Sequence, residues 1–175
     1  MKRIVLLTFG LAACFLVTPA QAWTFRLPKD QPVITIVVPN AWQTSARPDG
    51  YAAVSPDYAA HMIFDMVPVD QLKEQLGEKM DWLVKDQKVG FDKATQKKSD
   101  FEDGGLSWKA IRWDGENALK EPATVMVAFT DIGNGQVLMV LYWIPKSAES
   151  ANQKDITDIL ASVQKLDRAN TRTLP

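Results

Sequence analysis

The sequence predicts an α+β protein: a three-layer αβα sandwich with a largely antiparallel sheet, one long helix in mid-chain and one at the carboxy terminus. Three observations lead there. Runs with strand character are joined by hairpin-type turns, two stretches change to helical period, and the late strands are apolar on both faces. In Ala123 to Asp131, Val125, Val127 and Phe129 share one face, with Met126 and Ala128 on the other; Val137 to Ile144 is apolar throughout. Such strands are covered on both sides, and one helix per face would cover them.

Each element has its own signal. Trp23 to Leu27 reads as a short strand, and Val33 to Val38 as a buried strand stopped by Pro39-Asn40. Pro48-Asp49-Gly50 marks a turn, after which Tyr51 to Ser55 and His61 to Val67 are strands separated by Ser55-Pro56-Asp57. In the second of these, Met62, Phe64 and Met66 face one way and His61, Ile63 and Asp65 the other. From Asp70, expected as the N-cap, Leu72, Leu76, Met80, Leu83 and Val84 recur at helical spacing toward Gly90, a helix of some five turns. Phe91 to Phe101 is lysine-rich, as befits an edge strand or an exposed connection. Leu106 to Trp113, Ala123 to Asp131 and Gln136 to Ile144 then form a meander, whose last turn carries the Asn134-Gly135 hairpin signal. Ile156, Ile159, Leu160, Val163 and Leu166 mark one face of a helix beginning near Ser150.

The amino terminus carries an export signal. Lys2 and Arg3 precede the apolar run Ile4 to Val17, and Ala20-Gln21-Ala22 completes a cleavage site, so residues 1–22 read as a signal peptide and the mature chain begins at Trp23. Residues 23–167 then make one domain and 168–175 a frayed tail. The leader holds two of the 20 basic residues and none of the 21 acidic ones, which leaves the mature chain at −3. No basic block suggests nucleic acid, and no second apolar run is long enough to span a bilayer. The only cysteine, Cys14, lies in the leader, so the mature domain must be stabilised by packing without disulfides. Leu11-Ala12-Ala13-Cys14 also resembles a bacterial lipobox, which would anchor the domain to a membrane; Phe15-Leu16-Val17 continues the apolar run and favours ordinary cleavage. The expected location is the periplasm.

The inventory for catalysis is thin. One histidine and no mature cysteine exclude a Cys/His dyad and a multi-histidine metal site. Asp65 shares a strand face with His61 but is four residues, roughly 13 Å, away, too far for a triad along a regular strand. No nucleotide-binding glycine loop occurs, because Gly133-Asn134-Gly135 joins two apolar strands where a phosphate loop would open a helix. No cofactor or metal is expected. Carboxylates are plentiful, as in Glu102-Asp103 and Asp114 with Glu116, so a hydrolase using acidic residues stays open as the alternative to a binding protein.

Strand direction nominates a surface. In a meander, Trp113, Trp143 and the connection Asp114 to Pro122 gather at one edge of the sheet. Nine residues exceed the usual two to five of a hairpin loop, and long loops on a rigid sheet are where binding tends to be found. Trp113, Trp143, Asp114, Glu116 and Asn117 are therefore the candidate partner or ligand surface, with at least one indole expected to be accessible. The competing reading has both indoles capping the core.

With these pieces in order, the chain resembles the PsbP-like superfamily, the fold shared by a lumenal extrinsic subunit of photosystem II, a eukaryotic Ran-binding import factor and bacterial envelope proteins such as the DcrB group. Ile36-Val37-Val38-Pro39-Asn40-Ala41-Trp42 looks like the strand-P-x-x-W opening of that family. Ser55-Pro56-Asp57, the helix after Asp70, the hairpin run and Ile159-Leu160-Ala161-Ser162-Val163 follow in the same order. The resemblance implies a compact αβα sandwich that binds or supports partners, without catalysis, and the leader favours the envelope branch. The partner it implies is an unidentified envelope protein or small ligand.

Overall fold

The computed structural model describes residues 22–166. Its elements are β1 (Ala22–Leu27), β2 (Ile34–Pro39), β3 (Gln43–Arg47), β4 (Gly50–Val54), β5 (His61–Pro68), α1 (Leu72–Lys85), β6 (Gly90–Phe91), β7 (Lys97–Asp103), β8 (Leu106–Glu116), β9 (Pro122–Gly133), β10 (Gln136–Pro145), α2 (Glu149–Ala161) and β11 (Gln164–Lys165). The leader, apart from Ala22, and the tail fall outside the described residues.

An eight-stranded antiparallel sheet runs β3-β4-β5-β10-β9-β8, and both β6 and β7 pair with β8. A second sheet, β1-β2-β11, has three strands. Alternation within each central strand feeds two separate cores. Met62, Phe64 and Met66 of β5 pack with Trp108, Leu138 and Val140 against Ile156, Ile159 and Leu160 of α2 and Ile34, Ile36 and Val38 of β2. Ile63 and Val67 pack with Val125, Val127, Met139 and Leu141 against Leu83 of α1. The layers are therefore α1, the large sheet, and a third layer made jointly by α2 and the small sheet.

Residues of the family-like segments tie that third layer down. The Trp42 indole donates to Asp155 Oδ2 of α2 at 3.0 Å, fixing the turn after Pro39. Ser162 accepts from Val37 N at 2.9 Å and donates to Ile159 O at 2.6 Å, joining the end of α2 to β2. On the other face α1 has a single fully buried side chain, Leu83, so polar contacts help to position it. Buried Asp65 of β5 pairs with Lys79 Nζ at 2.6 Å, and the Arg47 guanidinium lies 3.8 Å from Asp65 and 5.5 Å from the Trp82 ring centre. Breaking such a buried pair by removing one partner strands the other charge, which is the costly direction.

Several expectations are corrected. Asp70 does not cap α1: it sits in a 3-10 turn over Val69–Gln71 that leads into the helix, and no side-chain cap bond is made at either start. The helix has 14 residues, just under four turns, and stops at Lys85. Gly90 belongs to β6, and the chain reverses at Lys88, whose φ is +58°. Gln43–Arg47, a polar segment without apolar alternation, forms an additional edge strand. The Asn134-Gly135 turn has φ of +56° and +72°, the two positive values that a type I′ hairpin requires.

Candidate binding groove

At the edge nominated by strand direction, Trp113, Val125, Trp143 and His61 stand in one register row across β8, β9, β10 and β5. The expected accessibility is not met: Trp113 is 7 % exposed and Trp143 is 6 % exposed. The reason is that this row faces α1, on the side of the second core. His61 stacks on Trp143 with ring centres 4.8 Å apart and planes 1° apart, Trp82 meets it edge-on at 5.9 Å, and Phe91 tilts over Trp113 at 5.4 Å. Burial also lowers the His61 pKa, because the charged imidazolium would lose hydration there.

The loop argument changes as well. β8 and β9 stay paired out to Glu116 and Pro122, so only residues 117–121 remain as the connection, within the ordinary hairpin range. Asn117 builds that turn, its side-chain oxygen accepting from Leu119 N and Glu121 N and its amide donating to Glu121. Asp114 pairs with Lys146 at 2.8 Å, a contact that lowers its pKa, and Glu116 lies 3.7 Å from Lys120. The five nominated residues thus share one end of the sheet and are engaged in packing or local pairing there. What that end exposes is Leu119 at 77 % and Tyr58 at 63 %, around a shallow hollow of about 170 Å³ over His61 and Trp143.

A larger concavity, about 340 Å³, lies on the opposite face where α2 and the small sheet leave the β7 to β10 region uncovered. Half-buried Met126 and Tyr142 and buried Ile144 line it from the sheet, Phe101 from β7, and Ile156 and Leu160 from α2. Polar groups stand around this apolar lining. Arg112 Nη2 donates to Thr124 Oγ1 at 2.9 Å and to Glu149 Oε1 at 3.0 Å; Gln153 and Thr157 line the helix wall, and Asp103 stands at the far end. Burial raises the Tyr142 pKa, which keeps its phenol neutral and able to donate. An apolar cleft of a few hundred Å³ with a few converging polar groups is the usual form of a ligand site.

Sequence reasoning passed over Arg112, although a signal was present. Leu106, Trp108, Ala110 and Arg112 share a strand face, so a cation closes an otherwise apolar row. Likewise Glu149, Gln153 and Thr157 share a helical stripe with Ile156 and Leu160. Among the described residues no group of three or more His, Cys, Asp or Glu is placed to hold a metal.

No protein-family model matches the chain, and no curated protein matches it in sequence. Solved structures define its class: it has the PsbP-like fold. It is similar to cyanobacterial PsbP (CyanoP) from Synechocystis sp. PCC 6803, with a TM-score of 0.56 and 10% identity over 89% of this chain and 99% of that one. It is similar also to the Saccharomyces cerevisiae Ran-binding protein Mog1p, with a TM-score of 0.51 and 10% identity over 86% and 98% of the two chains. A third likeness, to LpqN, involved in cell envelope biogenesis of Mycobacterium tuberculosis, has a TM-score of 0.53 and 15% identity over 84% and 91%.

Proposed function

We propose that this chain is an exported accessory protein of the bacterial envelope that acts by binding, and that the groove beside α2 is its binding site. The observation that carries this reading is the groove itself: half-buried apolar side chains left uncovered next to a guanidinium, with no nucleophile and base paired among its described lining residues. Export is supported by the Lys2 to Ala22 leader, and an envelope role is compatible with the likeness to LpqN. Placement in the DcrB-like branch rests on the sequence resemblance.

Two measurements test the proposal. Intact mass of the exported protein should show a mature chain beginning at Trp23; an acylated species beginning at Cys14 refutes free export and makes this a lipid-anchored protein. A photo-crosslinking residue at Gln153, in the groove, should capture a partner in intact cells, whereas the same residue at exposed Glu78 on α1 should not. Equal capture from both positions, or neither a protein nor a small ligand captured from Gln153, overturns the groove as the site.

A further inference from the structure

Building on the groove as the binding site, we infer that its ligand is a single-chain amphiphile with an anionic head, a carboxylate or phosphate held by Arg112, and an apolar tail laid along the cleft. The charge of the two ends decides which way round the ligand lies. At the Arg112 end, Lys97 is the register partner of Arg112 across the β7–β8 ladder, and Lys146 pairs with Asp114 close by. Three cations thus meet two carboxylates, Glu149 and Asp114, whereas the far end shows Asp103. An anion is favoured at the first end and disfavoured at the second.

Arg112 is prepared for such a head. Both of its hydrogen bonds use Nη2, so Nε and Nη1 make none among the described residues. Either bidentate edge of the guanidinium combines Nη2 with Nε or Nη1, so a carboxylate or phosphate that takes the place of Glu149 on Nη2 finds its second donor free. Thr124 is fully buried and holds the guanidinium in place, while the pair with Glu149 is partly exposed at 3.0 Å. Exposed pairs of this kind are weak, so an incoming anion can replace Glu149 without loss of the Thr124 contact.

The remaining length suits a tail. Along β8, Arg112 is four residues from Trp108, roughly 13 Å at strand spacing. Phe101 stacks beside Trp108 with ring centres 6.0 Å apart, closing that end with aromatic surface. Met126, in the register row of Arg112, walls the cleft on the sheet side, and Ile156 and Leu160 wall it on the helix side. Burying this surface under an acyl chain removes both partners from water, which a compact hydrophilic anion could not do.

The test is a titration of the mature chain with decanoate below its micelle concentration, followed by calorimetry, with acetate, decyltrimethylammonium and phosphatidylglycerol vesicles as separate arms. Decanoate should bind saturably at one site, roughly tenfold or more tighter than acetate or the cationic amphiphile. Arg112→Gln should weaken it roughly tenfold, the scale of a lost charged hydrogen bond, Glu149→Gln should strengthen it, and Thr157→Trp should block it with melting unchanged. Equal binding of the cationic amphiphile, indifference to Arg112→Gln, or association with vesicles but not with monomeric decanoate overturns the inference. Decanoate failing while Gln153 still captures a protein sinks the ligand class alone; failure of both sinks the groove as well.

Discussion

Replacing Trp143 with alanine separates a core tryptophan from a binding one. The ring is 6 % exposed, so nearly all of its surface is withdrawn from water. A tryptophan buries about 150 to 250 Å², which at about 25 cal/mol per Å² gives roughly 4 to 6 kcal/mol as an upper figure. Truncation of large aromatics in cores typically costs about 3 to 5 kcal/mol. The lower part of the overlap is unsafe here, because the change also removes the stack on His61 at 4.8 Å and the edge contact from Trp82 at 5.9 Å. We expect a loss of about 4 kcal/mol, or roughly 10 °C in melting temperature for a domain of this size. Urea unfolding followed by far-ultraviolet circular dichroism should show a lower midpoint at unchanged slope. Trp23→Ala, at a residue 54 % exposed, is the contrast and should shift stability by no more than about 0.5 kcal/mol. A loss below about 1 kcal/mol at Trp143 would refute its placement in the core and revive the case for an accessible indole at this end.

Two further outcomes follow from local geometry. The Ser55 hydroxyl and then the Asn152 amide hold the Asp57 pKa below its ordinary 3.8, so the stabilisation is fully present above that value and is lost as pH falls through the lower folded one; Asn152→Ala should shrink the loss seen between neutral pH and the acid limb, and an unchanged acid limb would contradict the pairing. Two glycines should respond oppositely to alanine. A Cβ at Gly77 meets nothing within 4 Å on exposed α1, so Gly77→Ala should stabilise by up to about 1 kcal/mol, whereas Gly104, at φ +59° with the added Cβ 2.6 Å from Ala161 O, should lose stability; melting shifts of the same sign would contradict this.

Much of the architecture was legible because it is written in local periodicity. Alternation in His61–Pro68 sets Met62, Phe64 and Met66 on one face and His61, Ile63 and Asp65 on the other, the division that the two cores follow, and Asn134-Gly135 announces its turn through the positive φ values it tolerates. Polar segments were less legible. Gln43–Arg47 becomes a strand only because β4 lies beside it, and Asp70 loses its cap because Pro68 first starts a tighter turn.

The candidate site divides in the same way. Sequence alone determined most of the strands, the two helices and the arrival of Trp113 and Trp143 at one end of the meander. Only tertiary structure decided that this row faces α1 and is buried, that the β8–β9 ladder runs on to Glu116 and Pro122, and that α2 leaves a cleft beside Arg112. Hydrophobic period fixes which residues share a face, since that follows from backbone geometry. What covers a face depends on contacts between elements far apart in the chain, as between Arg112 and Glu149, and no local pattern encodes these.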